Sequence, residues 1–446
     1  MNHHKRDHIQ PDIEIGQLIE VTPERPAHGG SFVARVGGRV FFVRHAVTGE
    51  TATAQVTGKG PKGRFFFADV IGVKAPSADR RPHPWQPADA LAHRHPLGGM
   101  EYGHLTPESQ RRYKKQIVVE QLTRLGGMPE SHPMLTDLPV HTLPDAPGAC
   151  AEGMNWRTRS HFAIDRETGR IAMYPQSSHQ PVPVESFPLM DARLEALNLG
   201  QLRFEGVKRL DVAVTATDMI ALIFTVPAAL TPAEVAPAIE ATCREAWGSL
   251  EEHLITLVFT AEKQGGRRRG AKPADVVVGA GNADLLETAT VFAQDYYWEV
   301  AASGFWQIHR SAPEVLGNAV LEMARLRKGQ AVYDLYAGAG FFTAIVADAV
   351  GARGTVLSVE GSPVTSGNAA TNFATDGAAR THRSERTTVR VERGDVGQVL
   401  SSLVPEIASG QFPAPDVVIL DPSREGAGKA VIEQIAELAP STVIYV

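Results

Sequence analysis

The 446-residue chain is 43% hydrophobic and 21% charged with a net charge of −6 and a pI of about 6.3, which suits a globular protein of two or three domains and excludes a uniformly basic nucleic-acid coat. Its apolar runs are broken by charge or Gly short of the roughly 18 residues a spanning helix needs, and residues 1–6 lead into no apolar signal core, so a cytoplasmic protein without a membrane partner is expected. Cys150 and Cys243 lack Cys-x-x-Cys spacing, which excludes a disulfide framework and a thiolate metal site; both are read as small core residues and no metal is expected.

Short alternating segments at 17–21, 31–36, 40–45, 51–57 and 64–73 are punctuated by Gly29-Gly30, Gly37-Gly38, Gly49-Glu50 and the glycines of 58–63. Five strands with one turn each predict a small closed β-barrel over 10–74, of the kind oligonucleotide-binding folds use. Residues 1–80 hold eleven Lys/Arg against eight Asp/Glu, a basic stretch in an acidic chain. Lys59, Lys62 and Arg64, beside Phe65 and Phe66, are candidates to track a phosphate backbone and stack bases, although alternation along 64–67 turns only about half of these side chains outward.

Residues 74–90, rich in Pro and charge, read as a linker. An amphipathic helix is expected over 106–125, with Thr106 as N-cap, Pro107 at its first position and Arg111-Arg112-Tyr113-Lys114-Lys115 on one face. The region 91–300 reads as α+β, with strand-rich segments at 156–173, 209–226, 254–260 and 288–300, a helix over 232–247 and a basic run at 263–269. Basic runs of this kind are more often solvated surface than binding site. Trp156-Arg157-Thr158-Arg159 sets Arg157 and Arg159 on one side of a strand, as a phosphate grip or as two solvated arginines on an edge.

From residue 301 strands and helices alternate as a doubly wound α/β sheet requires, with strands at 331–335, 355–360, 387–393, 416–420 and 442–446 and helices beginning at 341, 362, 396 and 426. The run from Val332 to Gly340 is a buried strand emptying into a glycine turn that opens a helix, where such a sheet holds a nucleotide-like cofactor. Gly338 and Gly340 let the backbone approach a ligand, and Glu360, 24 residues after Tyr336, ends the next strand where a carboxylate can accept both hydroxyls of a ribose. Thr343 replaces the third Gly of the dinucleotide fingerprint and Asp334 sits where a carboxylate meets a cationic cofactor end, which favours S-adenosylmethionine over NAD. Asp395 suits an adenine amino group or caps the helix from Val396. Asp421-Pro422-Ser423-Arg424 ends the fourth strand beside the crevice. A small residue and Arg424 stand where enzymes that methylate exocyclic amines place an aromatic, which favours another acceptor atom and brings Arg424 within reach of phosphate.

At these residues the chain resembles the RNA uridine C5-methyltransferases of the 23S ribosomal RNA and tRNA type. Asp-Leu-Tyr-x-Gly-x-Gly at 334–340, Gly304-Phe305-Trp306-Gln307 and Leu420-Asp421-Pro422-Ser423-Arg424 match family motifs, and Gly29-Gly30, Gly37, Phe42-Val43 and Gly49-Glu50 resemble the RNA-binding TRAM domain. The resemblance implies three parts: a TRAM-like barrel, a central α+β insert that also binds RNA, and a Rossmann-like methyltransferase domain over 301–446. It implies S-adenosylmethionine contacts at Gln307, Tyr336, Glu360, Asp395 and Asp421, the last also near the target uracil. The implied partner is structured RNA, ribosomal RNA ahead of tRNA, methylated at uridine C5 after a cysteine thiolate adds to C6.

In the family that cysteine follows the fifth strand in a Ser/Ala-Cys-Asp/Asn-Pro motif, and the general base lies further on. Both positions fall beyond Val446, so the methyltransferase domain is expected to be incomplete and the chain as given inactive. Many relatives also carry an iron–sulfur cluster. Leu91, Leu97, Met100 and Phe187 fall at its four cysteine positions, so no cluster is expected and apolar packing is expected in its place. Phe341 stands where some relatives have a cofactor-contacting Asn, and His309 replaces an Asn common two residues after Gln307. The alternatives are an RNA-binding protein without catalysis, a tRNA uridine C5-methyltransferase, and a methyltransferase acting on another RNA atom.

Overall fold

In a computed structural model, which describes residues 13–144, 153–176, 178–262, 276–279, 283–379, 381 and 387–446, the N-terminal alternation becomes a six-stranded sheet. Across it run Leu18–Val21, Thr51–Lys59, Phe65–Ala75, Arg39–Arg44, Ser31–Val36 and Arg25–Pro26. The central strand Phe65–Ala75 is antiparallel to Thr51–Lys59 and parallel to Arg39–Arg44. The two ends of that order, Leu18–Val21 and Arg25–Pro26, are consecutive segments of the chain joined by residues 22–24, and the Glu24 amide donates to the Val33 carbonyl at 2.7 Å. One face is the core, where Phe32, Phe41, Val43, Ala54, Phe66 and Val70 are buried. Phe66 therefore does not face a ligand: it stacks on Phe41 with centroids 5.2 Å apart, because the period of two that buries Ala68 and Val70 carries position 66 inward with them.

The chain forms two compact units, residues 1–142 with 172–182, and residues 143–171 with 183–446. The passage read as a linker lies within the first unit. There the Arg80 guanidinium donates to both oxygens of Glu50 at 2.6 and 2.8 Å and to the carbonyl of His45 at 2.7 Å, and Glu50 is wholly buried. The helix Pro107–Arg124 starts where expected, with Thr106 Oγ1 accepting from the Ser109 amide. Only Ser109 and Tyr113 of this helix are buried, so it has no broad apolar face and is not amphipathic in the expected sense.

Leu97 and Met100 are buried in the first unit, and Phe187 in the second meets Phe162 edge-on at 6.3 Å. Leu91 departs from the expected packing. It is 46% exposed, in a turn where its amide donates to Asp89 Oδ1. Cys150 and the basic run 263–269 lie outside the described residues.

In the second unit the strands Val276–Gly279, Ile255–Ala261, Ile220–Val226, Arg209–Val214 and Arg159–Ile164 are successive neighbours. The helix Pro232–Trp247 opens on a capping box between Thr231 and Glu234 and buries Cys243. A hairpin of Asp284–Val291 and Gln294–Ala301 follows. Beyond it lies a wholly parallel sheet in the order Thr388–Arg393, Thr355–Glu360, Ala331–Leu335, Val417–Leu420, Thr442–Tyr445. The strand order reverses on either side of Ala331–Leu335, which opens a crevice at the carboxyl ends of that strand and its neighbour Val417–Leu420. Both faces are covered. Val332 and Ile419 pack with the helix Phe341–Val350 on one side, and Tyr333, Leu335 and Leu420 pack with Val396–Ala408 and Lys429–Leu438 on the other.

Removing one partner of a buried ion pair leaves an uncompensated charge, a loss of about 3–5 kcal/mol. Glu50→Ala is expected to lower unfolding stability by about that amount, read from urea titration of the whole chain.

Candidate functional site

The strand Ala331–Leu335 is buried throughout, and the chain leaves it through three left-handed residues, Tyr336 at φ 65°, Gly338 at φ 58° and Gly340 at φ 89°. The two glycines have different tasks. A Cβ on Gly338 would meet nothing within 4 Å, so that position borders open space, whereas a Cβ on Gly340 would stand 2.3 Å from the Phe373 ring. Gly338 thus faces open space, and Gly340 lets the turn pack against Phe373.

Glu360 braces this turn. Its Oε2 accepts from the Gly338 amide at 2.9 Å and its Oε1 from the Ser362 amide at 2.6 Å. A carboxylate offers about four acceptor positions, so about two remain for another ligand. The turn's outer side is held by residues that no local pattern announces. Trp298 Nε1 donates to the Gly340 carbonyl at 3.2 Å. Asn372, fully buried, donates to the carbonyls of Ala339 and Glu299 and accepts from the Glu299 amide.

Beneath the turn lies Asp334, 1% exposed. Its Oδ2 accepts from the Thr343 hydroxyl at 2.6 Å, which also lies 3.0 Å from Ser358 Oγ. Its Oδ1 has no partner. Burial pushes this carboxyl up to about 7, opposed by the Thr343 hydrogen bonds and assisted by the charges of Asp421 and Glu360. Asp421 is half-buried and also raised by burial, against the hydrogen bond it accepts from the Gln307 side chain. Asp395 is exposed and caps the helix Val396–Ala408, its Oδ1 accepting from the Gln398 amide at 3.0 Å. Tyr336 donates its hydroxyl to the Ala427 carbonyl at 3.2 Å, and burial raises its phenol.

The loop carrying Gln307 is fixed from the strand that begins at Arg159. Arg159 Nη1 donates to the carbonyls of Ala302 and Gly304 at 3.2 and 3.0 Å, and Nη2 to Glu287 Oε1 at 3.4 Å. The Thr158 hydroxyl reaches the Gln307 and Ile308 carbonyls. The pairing of Arg157 and Arg159 as a phosphate grip is thereby corrected. Arg159 is largely buried and committed to internal acceptors, and Arg157 holds its guanidinium 5.9 Å from the Trp156 ring centroid. Trp156 in turn stacks on His309 at 5.1 Å. Arg424 is exposed, and Phe341 is core, against Trp298, Trp306 and Phe342. Among the described residues no group of three or more His, Cys, Asp or Glu is placed to hold a metal ion, and no helix is long and apolar enough to cross a membrane.

Residues 287–403, which contain most of the hairpin, the glycine turn and Glu360, match the family profile of protein-L-isoaspartate(D-aspartate) O-methyltransferase. Over 98% of its length the chain is 30% identical to an uncharacterized RNA methyltransferase of Streptomyces coelicolor, covering 85% of that protein. The chain belongs to this RNA methyltransferase family. A second relative in the family, from Streptomyces avermitilis, is 29% identical over 97% of the chain and 89% of its own length. Among solved structures the chain is similar to "a putative SAM-dependent methyltransferase from Streptococcus mutans", with 11% identity, a TM-score of 0.29, and coverage of 87% of this chain and 70% of that one.

Asn372→Ala strips partners from two carbonyls and an amide around the turn, and a destabilisation of about 2–4 kcal/mol is expected, followed by urea unfolding with tryptophan fluorescence. Because the Asp334 carboxyl is raised in the fold, the stability it contributes is complete below its ordinary 3.8 and is lost as pH climbs through about 7. Asp334→Asn removes that titration. The variant's unfolding midpoint is expected to gain on the parent's between those two pH values, and parallel profiles would refute the assignment.

Proposed function

We propose that this RNA methyltransferase holds S-adenosylmethionine at the glycine turn and methylates uridine C5 in structured RNA, ribosomal RNA ahead of tRNA. The observation that carries the cofactor reading is the set of acceptors on neighbouring strands at the carboxyl end of the parallel sheet: Glu360, which holds the Gly338 amide with acceptor capacity to spare, Asp421 hydrogen-bonded to Gln307, and the unpartnered buried Oδ1 of Asp334. These fit a ligand with a ribose diol and a cationic amino acid end. S-adenosylmethionine supplies a methyl group made electrophilic by a sulfonium.

Glu360 accepts the ribose hydroxyls, Gly338 gives the nucleoside room, and Asp395 takes the adenine amino group on the oxygen its helix cap leaves over. Tyr336 lines the crevice, and Gly340 keeps the turn seated on Phe373. Gln307 and Asp421 act as one unit toward the cationic end and the target uracil. The sheet of the first unit serves as the TRAM-like RNA module through Lys59, Lys62 and Arg64. The region 91–300 adds Arg157, and the domain from residue 301 adds Arg424 toward phosphate.

Uracil C5 is too electron-poor to attack a methyl group unaided. A thiolate adds to C6, the C5=C6 electrons make C5 nucleophilic, C5 takes the methyl, and a base removes the C5 proton as the thiolate leaves. Cys243 is not that thiolate. It is fully buried, and burial pushes its thiol up to about 12. The family resemblance puts the nucleophile after the strand Thr442–Tyr445.

Calorimetry of the 446-residue chain with S-adenosylhomocysteine is expected to show one site, weakened about tenfold or more in Glu360→Ala, since hydrogen bonds to a charged group contribute roughly 1.5–3 kcal/mol. Chain continued through a Ser/Ala-Cys-Asp/Asn-Pro motif is expected to release tritium from RNA carrying 5-tritiated uridine in step with methyl incorporation. Methyl transfer without tritium release would assign another RNA atom. RNA binding without methyl transfer would assign a binding protein.

A further inference from the structure

The alternation that buries Phe41 and Phe66 turns Phe42, Phe65 and Phe67 onto the opposite face of the N-terminal sheet. Phe42 and Phe67 are partners across the parallel strands Arg39–Arg44 and Phe65–Ala75. The Phe42–Phe65 and Phe65–Phe67 rings meet edge to face, with centroids 5.4 Å apart and planes at 89° in each case, and Phe42–Phe67 is 6.2 Å. Phe67 keeps 44% of its surface in solvent.

Phe42 and Phe65 are half-buried, Phe65 packing against the backbone just beyond the neighbouring strand, and Phe67 is the exposed member of the cluster. The neighbouring strand presents Gly58 against Phe67, where a Cβ would come to 3.4 Å, and the chain just beyond it presents Gly60 against Phe65, where a Cβ would come to 2.4 Å. Lys62, left-handed at φ 56°, and Arg64 stand exposed in the connection that leads into Phe65.

Phe42 and Phe65 support Phe67 edge to face, and Phe67 offers its exposed ring to solvent. An aromatic surface next to cations is the arrangement that single-stranded nucleic acid requires, because every base has a π-face to stack and every nucleotide brings a phosphate. A duplex hides its base faces, and an apolar protein partner gives the cations nothing to neutralise.

We infer that Phe42, Phe65 and Phe67 form a stacking platform for unpaired bases of the RNA, with Lys62 and Arg64 on the adjoining phosphates. The inference rests on the RNA reading above. It goes beyond that reading in assigning the barrel-side contact to single-stranded bases and to rings outside the core.

The test is fluorescence anisotropy of the 446-residue chain with a labelled single-stranded oligoribonucleotide of about a dozen residues, and with a hairpin of matched length. Circular dichroism and sedimentation accompany each variant. Phe67→Ala is expected to weaken single-strand binding about tenfold and to leave hairpin binding within about twofold. Arg64→Glu is expected to weaken both and to flatten the salt dependence. A folded Phe67→Ala protein that binds the single strand as the parent does overturns the platform while leaving the methyltransferase reading standing. The same result with a fall from dimer to monomer assigns the face to self-association and also overturns it. A parent chain that binds neither RNA overturns both the platform and the RNA reading, whereas cofactor calorimetry reports separately on the crevice.

Discussion

A left-handed backbone at three alternate positions, Tyr336, Gly338 and Gly340, is the constraint from which the proposed cofactor site follows. A tyrosine in that region costs of order 1–3 kcal/mol, so it persists only where its surroundings over-determine it. Here they do. The Ala337 amide is held by the Val359 carbonyl, the Tyr336 hydroxyl by Ala427, the Gly338 amide by Glu360 and the Gly340 carbonyl by Trp298. The geometry that points an amide at Glu360 also clears the space in front of Gly338. Rigidity and access therefore come from one set of bonds.

Much of this was legible in the sequence because it is local. A buried, largely apolar run followed by glycines fixes strand, turn and helix start within a dozen residues, and the Ser362 and Asp395 caps need only their own helix. The roles of Trp298 and Asn372 were illegible, because each holds a carbonyl 42 or 33 positions away and no spacing rule encodes such a contact. Arg159 shows the same limit. Alternation put it on one side of a strand, but whether that side meets solvent or Glu287, 128 positions on, is decided only by the tertiary fold. Phe66 and Leu91 failed for a related reason: a short aromatic or apolar residue in isolation does not state which face of its segment the rest of the chain will cover.

Membership of the RNA methyltransferase family and the crevice geometry bear on different levels of the argument. The first fixes the kind of protein over nearly the whole chain, and the second identifies which carboxylates remain able to accept. Arg159 and Thr158 join the levels physically, since the strand that begins at Arg159 fixes the carbonyls of the loop bearing Gln307. A shift of that strand would be felt at Asp421 without any contact to it.

The parallel order of the sheet has a kinetic consequence. Leu335 pairs with both Val359 and Leu420, so the crevice has no walls until two crossover connections have closed, one of them spanning the helices Pro363–Asn372 and Val396–Ala408. Such non-local pairing is slow, since loop-closure entropy is lost before any contact rewards it. The proposed nucleoside site is consequently among the last features to mature, and a ligand that engages it stabilises only finished domains, drawing the folding equilibrium forward by mass action.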